Sequence, residues 1–342
     1  MRVPPAAIAA AALALAGCTG PPAATVKAPA RTTTSGRPAP AAVTAPPPSP
    51  LPPRPRPAAI PFAVGLRVVT FVDRTRSVRF PGGRPMPRRL VTLVRYPARG
   101  PASRTDASGA TPAAGPFPLV VFGHGFAVSP RIYAPMLRAW ARAGYVVAAP
   151  IFPLENAGAP GGPDESDLVN QPRDMSLVIS RLLEASRVPH GALAGLVSPR
   201  AIAVAGQSDG GETALAAAYD RYYLDRRIRA AMILSGAEIP GVGGFDFPAP
   251  SPPLLATQGT ADVVNLPSLT HQFFALAPRP KFLLTLFGAD HLGPYTTTQP
   301  QLGIVERVTI AFLDRYLKGA PGAAGRLRAA GNAAGRSRLD GG

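Results

Sequence analysis

The stretch Gly206-Gln207-Ser208-Asp209-Gly210-Gly211 constrains this chain more than any other. An apolar run, Ala201-Ile202-Ala203-Val204-Ala205, leads into it, and an alanine-rich segment, Glu212–Tyr219, leaves it. The pattern is a strand, a tight turn and a helix with a serine at the apex. Such a turn brings strand and helix so close that only small residues fit two positions before and two after the serine. Gly206 and Gly210 supply that absence of side chain. The turn predicts a Ser208 hydroxyl held clear of a sheet at a helix N-terminus, where backbone N–H groups and the helix dipole favour developing negative charge.

Two later segments repeat the theme of a polar residue at the end of an apolar run. Asp262 follows Pro253-Leu254-Leu255-Ala256-Thr257, and His291 follows Phe282-Leu283-Leu284-Thr285-Leu286-Phe287. An earlier run, Phe117–Phe122, ends in Gly123-His124-Gly125-Phe126. The order Ser208, Asp262, His291 gives a nucleophile, an acid and a base in the chain order of one known triad arrangement. The N–H of Asp209 and that of Phe126, with Gly125 as the next choice, are the candidate oxyanion donors. Glu238 is the main substitute acid, and Asp290 a weaker one because adjacent residues of an extended segment point to opposite faces. Of the other histidines, His190 lies in a Pro/Gly loop and His271 in a helical pattern. His124 reads as structural or as pocket wall. Phe126, Tyr133 and Phe152 are aromatic candidates for an acyl pocket, with core as the rival role.

The combination of Gly123-His124-Gly125-Phe126, Gly206–Gly211, Gly259-Thr260-Ala261-Asp262 and Gly288-Ala289-Asp290-His291 resembles the α/β-hydrolase superfamily. Within it, the chain is similar to bacterial dienelactone-hydrolase-like and cutinase-like (polyester hydrolase) enzymes and to plasma-type platelet-activating-factor acetylhydrolases, over roughly residues 62–318. The resemblance implies an α/β-hydrolase fold, with a mainly parallel central sheet, helices on both faces and little or no cap domain. It also implies ester hydrolysis through an acyl-enzyme, without cofactor or metal. The chain departs from cutinase-like enzymes in two ways. Asp209 stands where an apolar residue follows the nucleophile, and a carboxylate there opposes oxyanion charge unless it is paired or turned away. The chain also has a single cysteine, so it cannot form an internal disulfide.

That cysteine, Cys18, ends Leu15-Ala16-Gly17-Cys18 behind a short apolar stretch and Arg2. The stretch is too short to span a bilayer. Residues 1–17 resemble a bacterial lipoprotein signal peptide, which makes Cys18 the lipidation site and the membrane a partner. Residues 18–60 are rich in Pro, Ala and Thr, a composition that buries too little apolar surface to offset chain entropy. They read as a disordered tether reaching about 120 Å if extended at about 3.1 Å per residue. The catalytic domain is expected over 61–318, and 319–342, rich in Gly, Ala and Arg, is expected to be a disordered tail. The protein would then be exported to the outer face of the cell membrane, or secreted if the anchor is absent.

A net charge of +17 suggests nucleic acid, but its distribution does not. About half of the excess lies in the two ends, where Arg2, Lys27, Arg31, Arg37, Arg54 and Arg56 meet no acid. No basic run interleaved with aromatics and no groove-binding pattern is present. Arginines crowd residues 67–99, where they would guard a sheet edge against aggregation. No nucleic acid and no protein partner is implied, and the expected partner is an ester, whether small-molecule, lipid or polyester.

Elsewhere strand and helix patterns alternate, the signature of a parallel sheet covered on both faces. A helix is expected from near Ser129-Pro130, with Ile132, Tyr133, Met136, Leu137 and Trp140 on one face. Further helices are expected with Met175, Val178, Ile179, Leu182 and Leu183 on one side, near 266–277 and around 302–317. Two other function classes share parts of the pattern. A prolyl-oligopeptidase-type serine peptidase needs a large extra domain, for which the chain has no room. A non-catalytic, hydrolase-like binding lipoprotein predicts a damaged triad.

Overall fold

The computed structural model describes residues 61–238, 242 and 246–342. The described residues form one compact unit. The expected signal peptide, tether and lipidated Cys18 lie outside the described residues.

The chain opens with two long strands, β1 (Ala63–Val78) and β2 (Met86–Ala98), and a two-residue β3 (Ala107–Ser108). Alternation follows: β4 (Phe117–Gly123), α1 (Ala134–Arg142), β5 (Val146–Ile151), a 3-10 turn (Glu165–Asn170), α2 (Gln171–Arg187), β6 (Val197–Gln207) and α3 (Asp209–Tyr219). It continues with β7 (Ala230–Leu234), β8 (Leu254–Gly259), α4 (Pro267–Leu276), β9 (Lys281–Leu286), α5 (Gly293–Thr296), α6 (Gln301–Leu317), α7 (Ala323–Gly331) and β10 (Ser337–Gly341). One sheet runs β10-β9-β8-β7-β6-β4-β5-β2-β1-β3. Its centre, from β5 to β9, is parallel, while β2 joins β5 and β10 joins β9 antiparallel.

The period-two alternation of strand side chains builds two cores. On β4, Leu119 and Val121 face the layer of Met175, Val178, Ile179 and Leu215, from α2 and α3. Val120 and Phe122 face Met136, Trp140, Val308 and Phe312, from α1 and α6. Ile202 and Val204 against Ala203 and Ala205 repeat the division on β6. Both faces are therefore covered, and every residue of α3 is buried. The sheet is mostly parallel with helices on each side, the architecture expected.

Three expectations need correction. The 319–342 tail is ordered: α7 buries Leu327, and β10 pairs along β9 with Leu339 opposite Leu284. A Gly/Ala/Arg composition hid two well-placed leucines, and a free strand edge supplied backbone partners that composition cannot reveal. The helix expected from Pro130 begins at Ala134, with Pro135 in its first turn. Residues 130–133 form a turn, and Ile132 points outward. Finally, β2 is an interior strand, and its Arg88 and Arg95 are buried in ion pairs instead of guarding an edge.

Candidate active site

The elbow at Ser208 forms because nothing else fits it. A Cβ at Gly206 would run into the Gly210 carbonyl, and one at Gly210 into the carbonyl of Gly123. Ser208 is driven to φ 56°, ψ −125°, a conformation that a non-glycine residue holds only under the constraint of its surroundings. Ala127 and Ser235 also have positive φ. All three stand just beyond the carboxyl ends of the central strands β4, β6 and β7, the end at which sites in such sheets form.

The structure brings the three sequence candidates together. His291 Nε2 lies 2.9 Å from Ser208 Oγ, and His291 Nδ1 lies 2.8 Å from Asp262 Oδ2. With the proton on Nδ1 donated to Asp262, Nε2 is an acceptor that faces Ser208 Oγ at 2.9 Å and the Gln207 amide N–H at 3.2 Å. Burial works to raise the Asp262 pKa. The hydrogen bond and charge of His291 and the N–H groups of Asn265 and Val264 outweigh it and hold the carboxyl below its ordinary value. His291 keeps 16 % of its side chain exposed, whereas Asp262 is sealed beneath it.

The rival residues are placed elsewhere. Glu238 is exposed, and Asp290 accepts the N–H groups of Leu292 and Gly293 at the start of α5. His190 and His271 are on the surface. His124 is fully buried, and burial lowers its pKa to about 4 against the backbone hydrogen bond to Gly125. The neutral ring donates from Nδ1 to the Gly125 carbonyl and accepts the Phe152 N–H at Nε2, tying the loop after β4 to the end of β5. Phe152 packs on that ring, and both Phe152 and Tyr133 are interior.

Phe126 sits on the loop that covers the elbow. A Cβ at Gly125 would lie only 3.0 Å from Ser208 Cβ, so the glycine permits the approach. The N–H groups of Phe126 and Asp209 have no hydrogen-bond partner among the described residues. The Asp209 side chain is buried, with Oδ1 3.5 Å from Ser208 Oγ.

The sequence did not reveal the residues that hold these groups in place. Gln207 Oε1 accepts the Tyr133 hydroxyl at 2.6 Å, and Tyr133 in turn accepts the Gly125 N–H at 3.3 Å. Gln207 Nε2 donates to the His291 carbonyl at 2.9 Å. One side chain therefore joins the loop after β4 to the loop that carries the histidine. Gln258 donates to Asp262 Oδ2 and is itself oriented by the Thr270 hydroxyl at 2.7 Å. The contacts of Gln207 with Tyr133 and His291 span 74 and 84 residues of sequence, and no local pattern announces them.

Residues 107–254 match the chlorophyllase family model. That span contains the loop after β4 and Ser208 but ends before Asp262 and His291. The fold is similar to that of a ferulic acid esterase from Streptomyces cinnamoneus, with a TM-score of 0.57 and 23 % identity, covering 78 % of this chain and 93 % of that one. No curated protein matches the chain. The solved chains that match number 1067, so structural likeness speaks for the fold and not for one substrate. The chain has the α/β-hydrolase fold, and that fold together with the family match supports a carboxylic ester hydrolase.

Proposed function

We propose that the chain is a serine esterase in which Ser208 is the nucleophile, His291 the general base and Asp262 the residue that orients and electrostatically supports the histidine. The observation that carries this reading is the continuous chain of hydrogen bonds from Ser208 Oγ through His291 to Asp262 Oδ2, anchored on a strained elbow. In the proposed cycle, Ser208 Oγ attacks the ester carbonyl while His291 Nε2 takes its proton. The N–H groups of Asp209 and Phe126 receive the oxyanion. His291 returns the proton to the leaving alcohol, leaving an acyl-serine. Water, activated by the same histidine, then releases the acid and frees Ser208.

The rim favours an apolar ester. Val263, Val264 and Leu266, in the loop that carries Asp262, are 84 %, 63 % and 53 % exposed, and Phe126 is 41 % exposed. Apolar side chains grouped beside reacting atoms gain by covering an acyl or alcohol chain. The likeness to dienelactone-hydrolase-like, cutinase-like and platelet-activating-factor acetylhydrolase-like enzymes belongs to this reading, with Asp209 as the departure from the cutinase-like pattern. A p-nitrophenyl ester series from acetyl to palmitoyl tests it on the full chain. Hydrolysis is expected to fall by at least about a thousandfold in Ser208→Ala, and the chain-length optimum measures the acyl site. Undiminished hydrolysis in Ser208→Ala would remove the proposal.

We further propose export and anchoring through acyl chains on Cys18, on the support of Leu15-Ala16-Gly17-Cys18 and the apolar stretch before it. Each methylene buried in lipid contributes about 0.8 kcal/mol. Cys18→Ala is expected to move the protein from the membrane fraction to the soluble one, and retention in the membrane would contradict the anchor.

A further inference from the structure

Asp209, the residue beside the nucleophile, has a second carboxyl against it. Glu155, in the loop after β5, is fully buried, and neither of its carboxyl oxygens meets a hydrogen-bond donor; Asp209 Oδ2 is sealed in the same way. The Asp209 carboxyl, by hydrogen bonding and by its charge, acts against ionisation of Glu155. Two ionised carboxylates in that arrangement would be a pair of acceptors with no donor between them, out of water and mutually repelling. One proton resolves all three difficulties at once.

We propose that Glu155 is a positioning residue of the active site: a buried carboxylic acid whose O–H donates to the Asp209 carboxylate, holding it off the oxyanion site while the Asp209 N–H faces it. The backbone of Glu155 ties the same loop to the other oxyanion donor, because its carbonyl accepts the Ala127 N–H at 2.9 Å, next to Phe126. One loop residue thus braces both sides of the proposed oxyanion hole. The groups that face Glu155 are Asp209 on α3, Asp167 and Glu165 on the 3-10 turn, and the Tyr133 hydroxyl before α1. None of them is a cation. Burial first, then the hydrogen bond with Asp209 and its charge, push the Glu155 pKa up to about 11. The proton is therefore retained throughout the neutral range, and its loss would put a second negative charge beside the Ser208 oxyanion.

The role in catalysis rests on the serine-esterase reading, but the shared proton does not, so the two are tested by separate readouts. The first is thermal unfolding of the full chain between pH 5 and 9, for wild type, Glu155→Gln and Asp209→Asn. Glu155→Gln removes the titrating group and supplies an amide donor, while Asp209→Asn supplies a donor and takes away the neighbouring charge but leaves Glu155 buried, so its effect should be the smaller of the two. Wild type is expected to lose melting temperature relative to both variants as pH rises, the gap widening steadily. Curves that stay parallel for both variants would overturn the shared proton, whatever the enzyme cleaves. The second is ester hydrolysis by Glu155→Gln and Glu155→Leu at pH 7. Leucine is expected to lower kcat at least tenfold with little change in KM, and glutamine to restore most of that loss. Equal losses in the two variants, or none in leucine, would overturn the positioning role. A chain that cleaves no ester but shows the widening gap would overturn the positioning role together with the esterase reading, leaving the protonated pair standing.

Discussion

Two buried groups of carboxylates lie close together in this molecule and are satisfied in opposite ways. Arg88, 1 % exposed, reaches Asp167 and Asp174 at 2.6 Å each, and Arg76 adds a further contact to Asp174 at 2.7 Å. Burial opposes charge on Arg88, but the hydrogen bonds with Asp174 and Asp167 raise its pKa above the ordinary value. Burial likewise raises Asp174 against the pull of Arg88, yet with guanidinium groups on both oxygens the ionised form is the one this geometry accommodates. Glu155 and Asp209 have no guanidinium, and there a proton takes the place of the cation. The difference follows position. The first group staples β2 to the 3-10 turn and α2 and serves the fold. The second lies beside Ser208, with Asp209 Oδ1 3.5 Å from its Oγ, where the shared proton leaves one negative charge instead of two near the developing oxyanion.

The largest way to break this contrast is to remove the cation. Arg88→Ala leaves Asp167 and Asp174 buried without their main partner and is expected to destabilise the chain by about 3–5 kcal/mol in denaturant titration. Replacing Arg88, Asp167 and Asp174 together by apolar residues of similar volume should recover most of that loss, since the desolvation cost disappears with the charges. The second effect is the pH dependence. A Glu155 pKa of about 11 in the folded chain, against about 4.5 when unfolded, means that the folded state holds one more proton between those values. Its contribution is most favourable below pH 4.5 and is lost as pH rises through that window, by up to about 1.4 kcal/mol per pH unit. The slope of stability against pH should flatten in Glu155→Gln and stay unchanged in Arg181→Ala, whose ion pair with Glu184 lies in solvent. The smallest effect is the control. Arg181–Glu184, with 44 % and 56 % of the side chains exposed, is an ion pair in solvent. Arg181→Ala should change stability by no more than a few tenths of a kcal/mol.

The same contrast marks what the sequence could carry. The elbow was legible because its demands are local: two glycines, a serine and a strand-helix switch within a dozen residues. Asp262 and His291 were legible because each ends an apolar run, and the sheet then gathers strand ends that are far apart in sequence. Glu155 was not, since it sits in an irregular loop and its meaning depends on Asp209, 54 positions later. Asp209 itself could be flagged as a departure, but the sequence held no hint of what lies against it. Gln207 and Gln258 were hidden for the same reason, and so was the ordered C-terminus, whose strand exists only because β9 offers an edge.

The central claim, that Ser208 is a nucleophile activated by His291, is tested most directly by covalent trapping. The full chain is treated with an alkyl fluorophosphonate, and the site of labelling is read by intact mass and peptide mapping. The account predicts one adduct per chain on Ser208, formed at least about a hundredfold more slowly in His291→Ala and absent in Ser208→Ala. An unlabelled chain, or an adduct that forms equally fast without His291, would contradict it.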